Sequence, residues 1–307
     1  MMFSRRRFML AAVAAGTIGR VTPSRWEWRG SAMGAEARIV LDAPRDQAEA
    51  ALAEVVADID RLEEIFSLHR PGSQLSRLNA AGRLDAPARD LRNALASANR
   101  WARVTEGAFD PAVQPLWRAW AEGVEGAEEA LTRVRGARIE VTPAGVSLSP
   151  GAALTLNGIA QGIVADRVAA LLDRHGFAAP LIDTGEMQLP GPERRPVELP
   201  EAGVTVRLAR TALATSAPSA LTFDPAGRHH HLFDPRTGDS PGWWRSVTVI
   251  APTAAQADAL STAFAVSPPD LVGDIAAGLP DIAVFATRRE GEREVFGTER
   301  LIRESLA

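Results

Sequence analysis

The stretch that decides the fold covers residues 154–166 and reads Leu-Thr-Leu-Asn-Gly-Ile-Ala-Gln-Gly-Ile-Val-Ala-Asp. Its first residues alternate between apolar and polar as in a short strand, and Asn157-Gly158 then breaks the pattern. Apolar residues at helical spacing follow, so the stretch predicts a strand, a glycine turn and the start of a helix. The apolar residues of that helix are Ile159, Ile163, Val164, Val168, Leu171 and Leu172.

Gly158 and Gly162 have no side chains that would keep a ligand away from the start of this helix. Free N–H groups and the positive end of the helix dipole favour a phosphate group at such a place. One interpretation is therefore a diphosphate site. The alternative is a tight strand-to-helix turn in which the glycines serve packing alone, and the stretch by itself leaves both open.

The composition excludes several classes of function. The chain has 307 residues, of which 46% are hydrophobic and 23% charged, an ordinary balance for a globular protein. A net charge of -4 without a basic stripe argues against nucleic-acid binding, which requires clustered cationic side chains. The absence of cysteine excludes disulfides, thiolate nucleophiles and cysteine-ligated metals, and the absence of tyrosine excludes phenolic acid-base chemistry. A metal would have to bind through oxygen or imidazole.

The first 22 residues have the pattern of an export signal. Ser4-Arg5-Arg6-Arg7-Phe8 precedes a short apolar run, which is typical of a twin-arginine signal segment. A chance basic start on an ordinary helix is the alternative. We therefore expect a periplasmic protein whose folded domain covers residues 24–307, and no lipid anchor because there is no cysteine.

The remaining sequence contains both amphipathic helices and short strands, and we expect a single compact α+β domain of mixed sheets and helices. Residues 47–65 and 90–104 have helical periodicity. Asn79 stands before a glycine-ended turn and is interpreted as a helix C-cap. Residues 190–200 contain four prolines and are interpreted as a loop.

Asp258 and Thr262 are four residues apart in a helix that Thr253 is expected to cap. A carboxylate and a hydroxyl on one helix face are hard oxygen donors of the kind that Mg²⁺ prefers. A polar helix edge without function is the alternative. His229, His230 and His231 are adjacent, and strand neighbours point to opposite faces, so at most the first and third share a side.

Two further residues stand in glycine- or proline-bounded turns. Met33 lies between predicted strands at residues 26–29 and 35–41, where its thioether is either a core filler or a cover for a flat aromatic ligand. Asp110 precedes Pro111, which favours an extended backbone at the aspartate.

Taken together, these segments resemble the FAD:protein FMN transferase family, the ApbE-like flavin transferases, over nearly the whole chain from Met33 to Phe264. The matching segments are Met33-Gly34, Phe66-Ser67, Ser73, Asn79, Gly107-Ala108-Phe109-Asp110-Pro111, Asn157-Gly158-Ile159-Ala160-Gln161-Gly162, Asp166, Gly185-Glu186, Ala214-Thr215-Ser216, His231-Leu232-Phe233-Asp234-Pro235-Arg236-Thr237-Gly238 and Ala257-Asp258-Ala259-Leu260-Ser261-Thr262.

The resemblance implies an enzyme that splits FAD at its diphosphate and moves the FMN phosphoryl group to a threonine of a partner flavoprotein, with release of AMP. It implies Mg²⁺ as the cofactor, with FAD as the substrate. The implied metal ligands are the backbone carbonyl of Ala160 and the side chains of Asp258 and Thr262, and His231 is the implied proton acceptor. The implied contacts to FAD are Met33, His69, Phe109, Asp110, Gln161, Ile163 and Leu232.

The sequence departs from the family pattern at two of these positions. Gln161 stands where the family commonly has lysine, and Ile163 where an aromatic residue is usual. The Asn-Gly-Ile-Ala-Gln-Gly version is similar to maturation factors for respiratory flavoproteins, which implies an acceptor in a membrane electron-transfer complex. Two alternatives remain at this point: an FAD pyrophosphatase, in which water replaces the threonine, and a periplasmic FAD-binding protein without catalysis.

Overall fold

The computed structural model describes residues 11–13, 24–122, 126–225 and 228–306. Apart from Ala11–Val13, the predicted signal segment lies outside the described residues. None of the helices in the described part of the chain has both the length and the apolar character that a bilayer crossing requires.

All strand pairs among the described residues are antiparallel, as expected of an α+β domain. The described helices are α1 (Arg45–Phe66), α2 (Gln74–Ala81), α3 (Arg89–Val104), α4 (Gln114–Glu122), α5 (Ala127–Arg135), α6 (Ala160–Arg174), α7 (Ala254–Ala265), α8 (Pro269–Ala277) and α9 (Glu299–Leu306). The described strands are β1 (Ala11–Val13), β2 (Ser24–Ala32), β3 (Ala35–Ala43), β4 (Arg83–Asp85), β5 (Ile139–Val141), β6 (Gly145–Leu148), β7 (Leu181–Asp183), β8 (Met187–Leu189), β9 (Arg195–Leu199), β10 (Val204–Leu208), β11 (Thr211–Ser216), β12 (Trp244–Ala251), β13 (Ala283–Arg288) and β14 (Arg293–Gly297).

The main sheet has the strand order β1-β2-β3-β7-β8-β11-β12-β13-β14, and β9–β10 and β4–β6–β5 form two smaller sheets. Its two faces belong to different cores because side chains alternate along each strand. In β11, Ala212 and Ala214 join the large core under α1, α6 and α7. Leu213 between them joins the smaller core under β9, β10 and α9. The sheet is thus covered on both faces.

The first long helix and the hairpin before it follow their sequence patterns. α1 buries a stripe of residues three and four positions apart and begins two residues before the predicted range. In the hairpin, Trp26 and Trp28 are buried and alternate with the exposed Arg25 and Arg29. The hairpin turns at Met33 and Gly34, whose φ angles are 50° and 87°. The strands therefore run closer to Met33 than predicted.

The predicted strand at the start of residues 154–166 is wrong. Leu154 and Leu156 are buried, as the alternation indicates, but the segment pairs with no strand among the described residues. The Asn79 side chain holds it instead: Nδ2 donates to the carbonyl of Leu154 at 2.8 Å, and the N–H of Leu154 donates to Oδ1 at 2.7 Å. Asn79 is therefore not a C-cap; Gly82, in the left-handed conformation, ends α2.

The loop prediction for residues 190–200 is also wrong in part, since β9 lies within it. Pro196 faces Arg207 in the two-stranded β9–β10 sheet, where proline is tolerated because one side of each strand has no partner within that sheet. A proline-rich composition therefore concealed a short edge strand.

Candidate functional site

The site is built around the contact between α6 and α7, which Gly162 makes possible. A methyl group added at Gly162 would lie 2.3 Å from the carbonyl oxygen of Ala254. Asp166 fixes the same contact, because its two oxygens accept from the N–H groups of Ala254 and Ala255 at 2.8 and 3.0 Å. Gly162 and Asp166 thus hold the two helices together, and the packing interpretation of this glycine is correct.

The N-terminal turn of α6 has some N–H groups that remain available to bind an anion. The carbonyl of Leu156 accepts from Ile159 and Ala160, and the Asp258 carboxylate accepts from Gly162 at 3.0 Å. In the described part of the chain, the N–H groups of Gly158 and Gln161 have no such acceptor. Two amides at a helix start are therefore available to a phosphate oxygen.

Asp258 lies beneath this turn on α7 and is only 3% exposed. Burial raises the pKa of Asp258 to about 7, with a further contribution from the negative charge of Asp166, while the hydrogen bond from Gly162 acts in the opposite direction. Thr253 caps α7 as predicted, since its hydroxyl accepts from the N–H of Gln256 at 3.2 Å.

Thr262 lies one turn after Asp258 and faces Gly158. A methyl group added at Gly158 would approach the Thr262 hydroxyl oxygen to 2.9 Å and the Phe109 ring to 3.2 Å. Gly158, unlike Gly162, thus leaves a space between the α6 turn and the predicted metal ligands of α7, Asp258 and Thr262.

Glu186 is a second buried carboxyl group beside Asp258. It is 7% exposed, and its Oε2 has no hydrogen-bond partner among the described residues. Burial raises the pKa of Glu186 well above its usual value, and the neighbouring charge of Asp258 raises it further. The chain contains no lysine, and no ion pair within the described residues includes Glu186 or Asp258.

These residues fit a hard divalent cation. Buried carboxyl groups without a cationic partner, one of them with an orphaned oxygen, are stabilised when a metal ion binds between them. No cluster of three or more His, Asp or Glu side chains suited to a metal occurs among the described residues. A cation here would therefore depend on the Thr262 hydroxyl, on backbone oxygens such as that of Ala160, and on water or substrate oxygens.

A narrow cleft of about 50 Å³ opens beside Gly158 and Thr262. Five of the predicted site residues line it: Phe109, Asp110, His231, Leu232 and Thr262. Asp110 is fixed by the turn that the proline predicts, since its Oδ1 accepts from the N–H of Ala112 at 2.8 Å. The cleft therefore joins the loop before α4, the histidine segment and α7.

His231 is oriented by a carbonyl group. Its Nδ1 lies 3.1 Å from the carbonyl oxygen of Leu221, which can only accept, so Nδ1 carries the proton and Nε2 has the free lone pair. Burial lowers the pKa of His231 below 6.5. The ring is therefore neutral near pH 7 and able to accept a proton through Nε2.

The other two histidines of the triplet have structural roles. His229 stacks on Trp120 with ring centroids 4.1 Å apart. His230 is fully buried, and its Nε2 donates to the carbonyl of Pro241 at 3.1 Å. The three rings thus point into different surroundings.

Burial of His230 gives a testable dependence of stability on pH. Its pKa is about 4 in the folded protein, against about 6.5 for an unperturbed histidine. Because the folded pKa is depressed, the unfolded chain binds the proton first, and this contribution to stability is lost as the pH falls from 6.5 toward 4. We expect the free energy of unfolding of the wild type to fall more steeply over that range than that of His230→Gln. Urea unfolding at pH 7, 5.5 and 4.5 measures both, and parallel pH profiles would contradict the prediction.

The other predicted contact residues lie outside this cleft. Met33 and Ile163 are half-buried against the large core, and His69 is exposed. Gln161 packs over Gly185, since a methyl group there would meet its amide nitrogen at 2.3 Å. These four residues are placed along the α6 turn, the β2–β3 hairpin and the loop after α1, so they mark a wider surface than the cleft.

Sequence reasoning assigned no role to two residues at the site. Glu186 belongs to the Gly185-Glu186 segment of the family pattern, and the signal for it in the sequence is a carboxylate directly after a glycine at a strand end. Arg236 forms two 2.8 Å hydrogen bonds to Asp234 and lies against Gly107. It thereby joins the turn after Phe233 to the loop that carries Phe109.

Comparison with known proteins identifies the family. The model of the ApbE family matches residues 33–286. The chain belongs to the ApbE family. Two relatives named FAD:protein FMN transferase are similar to it. The protein from Vibrio cholerae is 31% identical over 245 residues, covering 68% of this chain and 72% of that protein. The protein from Treponema pallidum is 29% identical over 269 residues, covering 74% of each.

Solved ApbE structures share the fold. The Thermotoga maritima ApbE protein superposes with a TM-score of 0.80 at 25% identity, covering 90% of this chain and 98% of that one. The Vibrio cholerae flavin transferase ApbE has a TM-score of 0.74 at 23% identity, covering 91% and 98%. The predicted α+β fold is therefore confirmed as an ApbE fold.

Proposed function

We propose that this ApbE protein is a Mg²⁺-dependent FAD:protein FMN transferase. Membership of the family and the names of its relatives support a transferase that acts on FAD. The observation that carries the proposal is that two candidate binding sites adjoin each other. One is the pair of open amides in the α6 turn. The other is the face of α7 with Asp258 and Thr262, beside a cleft that contains a neutral histidine.

The α6 turn would bind the FAD diphosphate. The N–H groups of Gly158 and Gln161 have no acceptor among the described residues, and amides at a helix start carry the partial positive charge that favours a phosphate oxygen. Gln161 supplies no positive charge where the family commonly has lysine, so this turn binds through dipoles alone.

Asp258, Thr262 and the carbonyl of Ala160 would hold Mg²⁺ next to that turn. The ion, when bound, offsets the charge that develops on the leaving AMP phosphate. The chain itself supplies a preformed ligand for it, because Asp258 is buried and fixed by the Gly162 N–H.

His231 would accept the proton of the acceptor threonine. In the transfer, the threonine oxygen bonds to the FMN phosphorus, the bond from that phosphorus to the AMP oxygen breaks, and the hydroxyl proton moves to Nε2. The carbonyl of Leu221 keeps Nδ1 protonated and so presents Nε2 as the base.

Met33, His69, Phe109, Asp110, Ile163 and Leu232 would contact the flavin or the adenosine. We further propose a periplasmic location after twin-arginine export, and an acceptor flavoprotein with an exposed threonine in a membrane electron-transfer complex. Both rest on the sequence patterns of residues 1–22 and of the Asn157 to Gly162 motif.

Product analysis separates this function from its alternatives. The protein is incubated with FAD and Mg²⁺, with and without a flavoprotein domain that carries an acceptor threonine, and AMP, FMN and FAD are separated by chromatography. A transferase releases AMP only with the acceptor and yields no matching amount of free FMN. Equal AMP and FMN without acceptor would indicate a pyrophosphatase, and intact FAD that stays bound would indicate a carrier.

Glu63 gives a test of the proposed FAD surface. Its Oε1 accepts from the N–H of Met33 at 2.9 Å, and its Oε2 pairs with Arg70 in the loop that contains His69. Glu63→Gln should weaken both the hydrogen bond from Met33 and the ion pair with Arg70. A hydrogen bond to a charged group contributes about 1.5 kcal/mol, so its loss corresponds to a roughly tenfold higher KM for FAD. The value of kcat should change little.

The matched control is Glu64→Gln, because Glu64 also pairs with Arg70 but has no hydrogen bond to Met33. Its KM should remain close to that of the wild type. An unchanged KM in Glu63→Gln would show that the Met33 turn does not contact FAD.

A further inference from the structure

We propose that Glu186 is a further oxygen donor of the divalent-cation site, facing Asp258 across it and binding the ion directly or through one water molecule. The proposal rests on the cation site of the proposed function. It adds a residue that no motif assigned to the metal, and it predicts cation binding before FAD arrives.

The turn that carries Glu186 is attached to the start of α6. The hydroxyl of Thr184 donates to the carbonyl of Gln161 at 3.3 Å, and the Gln161 side chain lies over Gly185. The backbone carbonyl of Glu186 accepts from the N–H of Thr184 at 3.0 Å and closes the turn. Glu186 therefore stands beside the same helix start that presents open amides.

On its other side, Glu186 adjoins the strand that packs on α7. The backbone N–H of Thr215 acts on the Glu186 carboxylate and partly offsets the rise in its pKa that burial causes. The next residue, Ser216, shares a 2.9 Å hydrogen bond with the hydroxyl of Ser261, and that hydroxyl donates to the carbonyl of Asp258 at 3.1 Å. The Glu186 carboxyl group thus lies between the α6 turn and the Asp258 segment of α7.

The two buried carboxyl groups at this position have no positive charge beside them, which favours binding of a cation. Glu186 and Asp258 are each more than nine-tenths buried, and the Oε2 of Glu186 has no partner among the described residues. Each buried negative charge destabilises the other, and in the described part of the chain no arginine forms an ion pair with either. An unpartnered buried carboxylate oxygen is costly unless a metal ion or proton satisfies it.

A divalent ion would interact with more of the oxygen atoms at this site than a shared proton would. A proton could join the two carboxyl groups but would leave the Thr262 hydroxyl and the amide-lined space above it unused. Mg²⁺ accepts a few protein oxygens and keeps its remaining positions for water and phosphate oxygens. Two carboxylates and one hydroxyl therefore form a site that binds the ion first and later exchanges water for the diphosphate.

Binding of Mn²⁺ to the full chain without FAD tests the assignment. Free Mn²⁺ is followed by its electron paramagnetic resonance signal for the wild type, Glu186→Gln and Asp183→Asn. We expect Glu186→Gln to weaken Mn²⁺ binding at least about tenfold. Asp183→Asn is the matched control, because Asp183 is an aspartate of the same turn whose Oδ1 accepts from Gly185 at 3.2 Å. The charge of Asp183 also acts on Glu186, so Asp183→Asn should weaken Mn²⁺ binding by about threefold at most, well short of the loss in Glu186→Gln.

Thermal unfolding without and with Mg²⁺ provides a second measurement. The metal-free Glu186→Gln protein should melt no lower than the wild type, because one of two repelling buried charges is gone, and Mg²⁺ should raise its Tm less than that of the wild type. Wild-type Mn²⁺ affinity in Glu186→Gln, or an equal loss in Asp183→Asn, would overturn the assignment.

Parallel assays of FMN transfer keep the two proposals separable. Glu186-dependent Mn²⁺ binding in a protein that transfers no FMN would overturn the proposed function and leave the cation site standing. Efficient FMN transfer together with unchanged Mn²⁺ affinity in Glu186→Gln would overturn only the role of Glu186.

Discussion

Replacement of Asp258 by alanine is expected to lower Mg²⁺-dependent FMN transfer by about 1000-fold. The side chain is the buried carboxylate of the proposed metal site, and the ion contributes several kcal/mol of stabilisation to the charge on the leaving phosphate. The measurement is the initial rate of acceptor flavinylation at saturating FAD over a series of Mg²⁺ concentrations.

The folded state of the variant is checked independently. Asp258→Ala leaves the N–H of Gly162 without its acceptor, so the Tm of the metal-free variant is expected to fall. Asp258→Asn has nearly the same shape, and its amide oxygen can still accept that hydrogen bond, so it serves as the second variant. Full activity in a folded Asp258→Ala protein would show that the metal is bound elsewhere.

Replacement of His231 by alanine is expected to reduce kcat by roughly 100- to 10,000-fold, the usual contribution of a positioned general base. FAD binding should change much less, because the diphosphate is assigned to the α6 turn. His229→Ala is the matched control. His229 lies two positions before His231, its ring stacks on Trp120, and it is assigned no part in the reaction.

The pH profile gives a second measurement for His231. Burial lowers its pKa below 6.5, so the neutral form predominates at pH 7 and above, and kcat should be level there and fall toward acid pH. The profile of His231→Ala is measured at saturating Mg²⁺. If its remaining kcat falls at the same acid pH as that of the wild type, a group other than His231 titrates. A wild-type kcat in that variant would remove the proton-acceptor role altogether.

Features that depend on neighbours in sequence were predictable. The buried stripe of α1, the Thr253 cap of α7 and the turn at Asp110 each follow from side chains within four residues of one another. These local rules place the helix of Asp258 and Thr262 and the loop of Phe109. They did not assign a role to Glu186 or Arg236.

Features that depend on distant contacts were not predictable. The segment at Leu154 alternates like a strand, but its backbone is satisfied by Asn79, which lies 75 residues away in the sequence. Gly162 is needed because Ala254 approaches it, and Glu186 acquires its significance from Asp258 on another helix. The contacts that give these residues their roles come from distant parts of the chain.

The mass of the acceptor is the most direct test of FMN transfer by this protein. The full chain is mixed with FAD, Mg²⁺ and a flavoprotein domain that carries the acceptor threonine, and the domain is weighed by mass spectrometry with and without EDTA. We expect a gain equal to one FMN phosphoryl group on threonine, absent when EDTA removes the metal. An acceptor of unchanged mass, while FAD is converted to free FMN and AMP or remains intact, would contradict it.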